Sequence, residues 1–345
     1  MMNVVLSCAP REKLGLYLSL GGACITLGPA FGPVISGLMC TLFGWRAVFV
    51  VPLVGGVVVA AAAAKLVRNV GERSNTTLDI LSVVLLAAGI TAFVYSVGEF
   101  STNVMAGIAT LFAAVVVLGL FAVRQLKLKH PVLNVRPMAS VRFWPACLLV
   151  VVSMMTTFSM SVLLPLYFEG AYGMTALVAG LLILPAIACN AVTSIVGGRV
   201  MDARGAWPLL PVGFALIAVG QTAISMTAAS MNIGVVVLLT VVVYAGVGLV
   251  LSPSQTAGLE TLPAAEHPHG TALLNTWNMI AASFGPSLFI GLLSSSAVAA
   301  GAAGVASDVA QAIGFAAAVR VAAVIAVVGF AVSLVYARRE SHMSH

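Results

Sequence analysis

Only 8% of the 345 residues are charged, so the chemistry open to this chain rests on a few polar side chains in apolar surroundings. The densest set is Ser153-Met154-Met155-Thr156-Thr157-Phe158-Ser159-Met160, midway along an uncharged run. Flexible thioethers re-pack around varied shapes, and hydroxyls bond either a solute or their own backbone. A second set is Gly198-Arg199-Val200-Met201-Asp202-Ala203-Arg204-Gly205. Its glycines permit a tight reversal, and Asp202 suits the positive N-terminus of the next helix. Arg204 supplies the opposite charge nearby, and setting topology is an equally simple role for the run. Asn190, Gln221 and Asn275 are amides inside apolar runs, where bonding another helix is the commoner use. Glu99 and Glu169 fall at the ends of runs, and Arg320 stands a few residues into the last one. All three can reach water or snorkel towards it. No Walker-type loop, His-Glu-His zinc motif or serine elbow occurs, so neither an ATP motor nor a hydrolase is supported.

The elements that must position these groups follow from composition. A soluble domain carries about 25% charged residues, whereas this chain pairs its 8% with 61% hydrophobic residues. No soluble fold hides so much apolar surface, and the reading is an all-α polytopic membrane protein whose first partner is the lipid bilayer. The net charge of +6 is small and dispersed, which excludes nucleic acid as a partner. Cys8, Cys24, Cys40, Cys147 and Cys189 show neither metal-ligand nor redox spacing and read as small apolar residues. No metal or other cofactor is expected.

About 20 apolar residues cross the ~30 Å hydrocarbon core as a helix. Charges divide the chain into runs of that size at Leu14–Phe43, Val48–Leu66, Ile80–Gly98, Val104–Val123, Phe143–Phe168 and Gly173–Val196. Two more spans fit between Arg204 and Glu260, with Met226–Asn232 as their turn, and His269–Leu293 and Ile313–Tyr336 bring the number to about ten. Fourteen of the sixteen Lys and Arg residues fall in alternate connections, leaving only Arg46 and Arg320 elsewhere. That bias places those connections and both termini in the cytoplasm of a multi-pass plasma-membrane protein.

The stretch Leu14–Phe43 is the one the others are organised around. Gly28 and Gly32 stand four apart with Ser36 a turn further, so three small side chains share a face that another helix can approach closely. Pro33 removes a backbone donor and predicts a bend just before it. The spacing Ser19, Gly28, Gly32-Pro33, Ser36-Gly37 resembles the antiporter signature in the fifth helix of the drug:proton exporters of the major facilitator superfamily, with serine for two of its glycines. Trp45-Arg46 with Phe49 and Pro52 resembles the turn into the sixth helix. His130-Pro131-Val132-Leu133-Asn134-Val135 with Arg142-Phe143 resembles the loop after the two extra helices of fourteen-helix members. Leu164-Pro165-Leu166-Tyr167-Phe168, Gly173, Ala179-Gly180 and Leu184-Pro185 carry the likeness further, with Glu169 where glutamine is usual. So do Gly246, Gly248, Pro253, Pro263, Gly270, Ala272-Leu273, Asn275-Thr276 and Gly285, while Trp277-Asn278 replaces a polar pair.

The resemblance implies a partial major facilitator fold. Residues 1–68 would be the remnant of an N-terminal half (two helices), 69–130 two linker helices, and 131–345 a six-helix C-terminal half. Four helices would precede Leu14, and with them the residues that couple transport to protons. The implied function is proton-coupled efflux of drugs or other small amphipathic solutes by alternating access. The alternative is a transport-inactive remnant or the partner subunit of a split permease, completed by a missing N-terminal fragment. Met155, Thr156, Ser159 and Tyr244 would line the central cavity, and Gly28, Gly32, Pro33 and Gly37 would form the antiporter-motif helix, meeting the helix of Gly180 and Pro185. Gly198, Asp202, Arg204 and Gly205 would make a latch between the rocking halves. The topology is directly testable: a reporter fused within 124–142 should be active only in its cytoplasmic form, and an externally accessible tag there would overturn the arrangement.

Overall fold

The structure, a computed structural model, describes residues 32, 34–66, 79–99, 103–128, 131–206, 209–230, 232–263 and 266–341. Among these, nine helices are long and apolar enough to cross a membrane, and a shorter apolar helix, α1, covers Val34–Phe43. The others are α2 (Val50–Leu66), α3 (Ile80–Glu99), α4 (Val104–Lys127), α5 (Phe143–Tyr172) and α6 (Ala176–Arg204), followed by α7 (Leu209–Thr227), α8 (Ile233–Glu260), α9 (His267–Ala302) and α10 (Ser307–Ser341). The expected turn at Met226–Asn232 is a 3-10 segment, Ala228–Ser230, followed by Asn232, whose Oδ1 accepts from Val235 N and caps α8. Asn103 caps α4 in the same way, accepting from Met105 N at 3.1 Å and Ala106 N at 3.2 Å. Such caps satisfy amides that have no partner within the helix. Helix α10 begins earlier than the apolar run alone suggests, because Ser307 and Asp308 open it ahead of the first long apolar side chains.

Residues 1–77 with 174–184, and 78–173 with 185–345, form two compact units. In the first, Gly44 takes φ +82 after α1, and a 3-10 turn (Trp45–Phe49) leads into α2. The Arg46 guanidinium lies 5.3 Å from the Trp45 ring centre in that turn, within cation–π range. None of the side chains of α2 is buried.

The second unit holds α3, α4, α5, α7–α10 and the part of α6 from Pro185 on. Small residues set its closest approaches. A Cβ on Gly246 of α8 would stand 2.5 Å from the Gly213 carbonyl oxygen of α7, and one on Gly213 would stand 2.9 Å from the Gly246 carbonyl oxygen. Helices in lipid associate through such packing, since lipid is as apolar as the side chains it replaces.

A chain of hydrogen bonds closes one end of the α3–α4 hairpin and ties it to the loop ahead of α5. Arg124 on α4 grips Asp79, ahead of α3, with two parallel bonds: Nε donates to Oδ2 at 2.8 Å and an Nη nitrogen to Oδ1 at 3.0 Å. Ser82 Oγ donates to the same carboxylate at 2.6 Å and accepts from Gln125 Nε2 at 2.6 Å. Gln125 Oε1 in turn accepts from the Leu133 backbone N–H at 3.1 Å. The guanidinium and the Ser82 hydroxyl hold the Asp79 carboxyl well below the usual carboxylate range. Beneath the chain, Phe121 of α4 and Leu133 join Phe143, Cys147 and Val150 of α5, Leu262, and Leu273 and Leu274 of α9 in one buried cluster. Higher on the hairpin, Phe93 stacks on Phe284 of α9 at 5.0 Å between ring centres. Gln125 is 2% exposed, so Gln125→Ala strands the Leu133 N–H and should lower unfolding stability by about 1–3 kcal/mol. Asp79→Asn should cost less, and its cost should vanish as acid protonates the wild-type carboxyl, since a depressed pKa stabilises only above it. Thermal melts of the two variants against pH check both statements.

Candidate functional site

The polar knot of the second unit lies where α5, α6 and α8 cross. Tyr244 Oη on α8 is 3.0 Å from Ser161 Oγ and donates to the Thr157 carbonyl at 3.3 Å. Asn190 Nδ2 on α6 donates to the Tyr244 carbonyl at 3.0 Å. The crossing closes because Gly248 lies against the Asn190–Ser194 backbone, where an added Cβ would be 2.6 Å from the Asn190 oxygen. Gly197 reciprocates against Gly248 and Leu249 at 3.3 Å. In hydrocarbon, hydroxyl and amide groups need partners of this kind.

The four residues expected to line one cavity do not share one space. Met155, Thr156, Ser159 and Tyr244 are each at most 6% exposed. Met155 and Ser159 face Gly285 of α9, whose added Cβ would fall 2.7 Å from Ser159 Oγ and 3.1 Å from Met155 Cα. Tyr244 meets Thr157 and Ser161 instead. Residues two apart on a helix are turned by about 200°, so Ser159 and its neighbours Thr157 and Ser161 look in opposite directions. Ser161 is the functional candidate that the sequence pattern misses, and its grouping with Thr157 and Asn190 depends on the angle at which three helices meet.

On α1, Gly37 carries the close approach: an added Cβ would lie 2.5 Å from the Ala176 carbonyl oxygen and 3.0 Å from Leu177 Cα at the start of α6. A Cβ on Gly32 would meet nothing within 4 Å. Gly28 and Pro33 lie outside the described residues. At the far end of α6, Gly205 takes φ +73 and its N–H bonds the Met201 carbonyl at 2.9 Å, so the reversal there requires a left-handed residue. Asp202 and Arg204 fall in the last turn of α6, with their side chains outside what is described. Gly198 has open space around it. Glu169 is exposed near the end of α5, and Arg320 is exposed on α10, further into the helix than the sequence suggests because α10 starts at Ser307. Cys147 is buried in the apolar cluster, in keeping with an inert packing role.

Residues 1–286 match the family model described as Major Facilitator Superfamily. The chain belongs to the major facilitator superfamily. It is a transporter of the multi-pass membrane class and not an enzyme. It is 33% identical over 336 residues to the uncharacterized MFS-type transporter YcnB of Bacillus subtilis, covering 96% of this chain and 71% of that protein. It is 30% identical over 298 residues to the lincomycin resistance protein LmrB of Listeria innocua, covering 85% of this chain and 63% of that one. A multidrug resistance protein B homolog of Mycobacterium tuberculosis is 25% identical over 292 residues, covering 83% of this chain and 54% of the relative.

In this transporter the α6–α8 crossing leaves no room for a side chain. Gly248→Leu should therefore abolish recovery of monodisperse protein, since beside the Thr193 hydroxyl the neighbours are the Asn190 and Ser194 backbone atoms, which cannot yield. Gly198→Ala, with open space beside it, should be recovered at the wild-type level. Size-exclusion profiles of the two variants make the comparison.

Proposed function

We propose that this major facilitator protein exports drugs or other small amphipathic solutes from the cytoplasm in exchange for protons. It would lie in the plasma membrane with both termini inside. The similarity to proteins named for lincomycin and multidrug resistance, spanning more than four-fifths of the chain, carries this reading. The knot of Thr157, Ser161, Asn190 and Tyr244 supports it. It sets hydroxyls at a crossing of three helices, and transporter substrates bind near the bilayer midplane where helices of a repeat meet.

Transport would proceed by rocking one half on the other, with small residues as the sliding faces and the Gly198–Gly205 turn as a latch. Gly37 suits the first role, because a contact made by backbone atoms loses none of its side-chain packing when it shifts. Asp202 suits the second, as an acidic residue in the last turn of α6 just ahead of the reversal at Gly205.

Accumulation of a fluorescent cationic drug or of lincomycin, in cells stripped of their own exporters, tests the proposal. Expression should lower accumulation, and a protonophore should restore it. Accumulation equal to that of empty cells would contradict export, and insensitivity to the protonophore would contradict proton coupling. Asp202→Asn should reduce efflux several-fold at unchanged expression, whereas undiminished efflux would remove the latch.

A further inference from the structure

The end of the second unit where α4 leads into α5 carries unbalanced positive charge. No Asp or Glu occurs between Glu99 and Glu169, whereas Arg124, Lys127, Lys129, Arg136 and Arg142 all fall in that interval. Among the described residues, Arg124 is ion-paired with Asp79. Lys127, Arg136 and Arg142 are exposed and have no carboxylate partner among those residues.

Two hydrogen bonds hold the returning segment against the last turn of α4. Gln125 Oε1 accepts from the Leu133 N–H at 3.1 Å, and an Nη nitrogen of Arg136 donates to the Leu126 carbonyl at 3.4 Å. The second bond brings the Arg136 guanidinium to the peptide that joins Leu126 to Lys127, so two cations without carboxylates share one helix end. Like charges held close repel, and an anion between them relieves the repulsion. Lys127 stands four residues, about 6 Å, beyond Val123, where the apolar run of α4 ends. That is headgroup depth, and the exposed Val132, Val141 and Trp144 edge the same end, as suits side chains at a membrane interface. Towards the bilayer interior, α3 and α4 flank an open groove of about 550 Å³. Val84, Ala88, Thr91 and Tyr95 line it from α3, and Thr110 and Ala113 from α4. Arg124 follows Thr110 by fourteen residues, close to four full turns, so it lies on the groove side of α4 and marks the groove's foot.

We propose that this end of the α3–α4 hairpin binds an anionic phospholipid, with its phosphate between Lys127 and Arg136 and one acyl chain in the α3–α4 groove. A guanidinium matches phosphate oxygens with paired N–H donors, and an ammonium adds a mobile point charge. Basic clusters just beyond a membrane helix attract anionic headgroups for the same reason. Arg124 contributes less, because Asp79 already takes two of its donors. The groove and the exposed apolar edge favour a lipid over a free anion, since only a lipid brings a chain. The site is independent of the export reading and of which compartment this end faces.

Native mass spectrometry of the full chain, released from nanodiscs of mixed phosphatidylglycerol and phosphatidylcholine, tests this by counting the lipids retained. The wild type should keep phosphatidylglycerol several-fold over phosphatidylcholine. Lys127→Gln combined with Arg136→Gln should bring the two lipids close to parity. Arg46→Gln combined with Arg320→Gln, which removes as much charge elsewhere, should leave the preference intact. Equal retention by the wild type, an undiminished preference in the first pair, or an equal loss in the second would each overturn the site. Ala88→Trp, which fills the groove, should lower phosphatidylglycerol retention several-fold, and unchanged retention would contradict the seat of the chain. Glycerol phosphate, a headgroup without chains, should not raise the melting temperature as phosphatidylglycerol does; an equal rise would overturn the lipid in favour of a free phosphate. If the first pair is not recovered folded, Lys127→Gln alone, which leaves the Arg136–Leu126 bond in place, decides by the same loss of preference.

Discussion

Hydrocarbon offers no hydrogen-bond partner, and that single lack shapes the molecule. Backbone amides inside the bilayer bond within their own helix, and polar side chains turn to carbonyls of their own helix or to groups on a neighbouring one. The series from Asp79 through Ser82 and Gln125 to the Leu133 N–H shows the rule at a helix end. The knot around Tyr244 shows it at a three-helix crossing. Each network ties elements distant in sequence.

A second consequence is the traffic in small residues. With no water to expel, helices gain only what close contact gives, and closeness needs glycine. Gly213 with Gly246, and Gly197 with Gly248, bring backbone against backbone. The α3–α4 hairpin is tied to the loop ahead of α5 by the Gln125 chain, and to α5 and α9 by the Phe93–Phe284 stack and a shared apolar cluster. Residues 78–173 and 185–345 accordingly form one unit rather than a hairpin hung between two others.

Much of the fold is legible in the sequence. Sparse charge places α2 to α5 within a few residues of their observed ends, because leaving a charge in hydrocarbon is costly, whereas α6 and α9 run eight and nine residues beyond the expected Val196 and Leu293. The Met226–Asn232 turn needs no charge to be seen, since small polar residues interrupt the apolar run there. The candidate site is less legible. The spacing of Met155, Thr156 and Ser159 says that they share a helix, but not which neighbour each one meets. Crossing angle decides that, and it sends Ser159 towards Gly285 and Ser161 towards Tyr244. Arg124 reads as a topological charge, and Asp79 as an ordinary loop acid. Their pairing emerges only once α3 and α4 stand side by side. A lone acid directly before an apolar run, with an Arg-Gln pair closing the next run, is the signal that could have found it.

The account depends most on internal pairing holding the loop between α4 and α5 in place. Hydrogen exchange at the Leu133 amide measures this directly, because the group lies in a loop and owes its shelter to the Gln125 side chain. The account predicts slow exchange in the wild-type protein in nanodiscs and rapid exchange in Gln125→Ala. Exchange in the wild type as fast as in an unstructured peptide would contradict it.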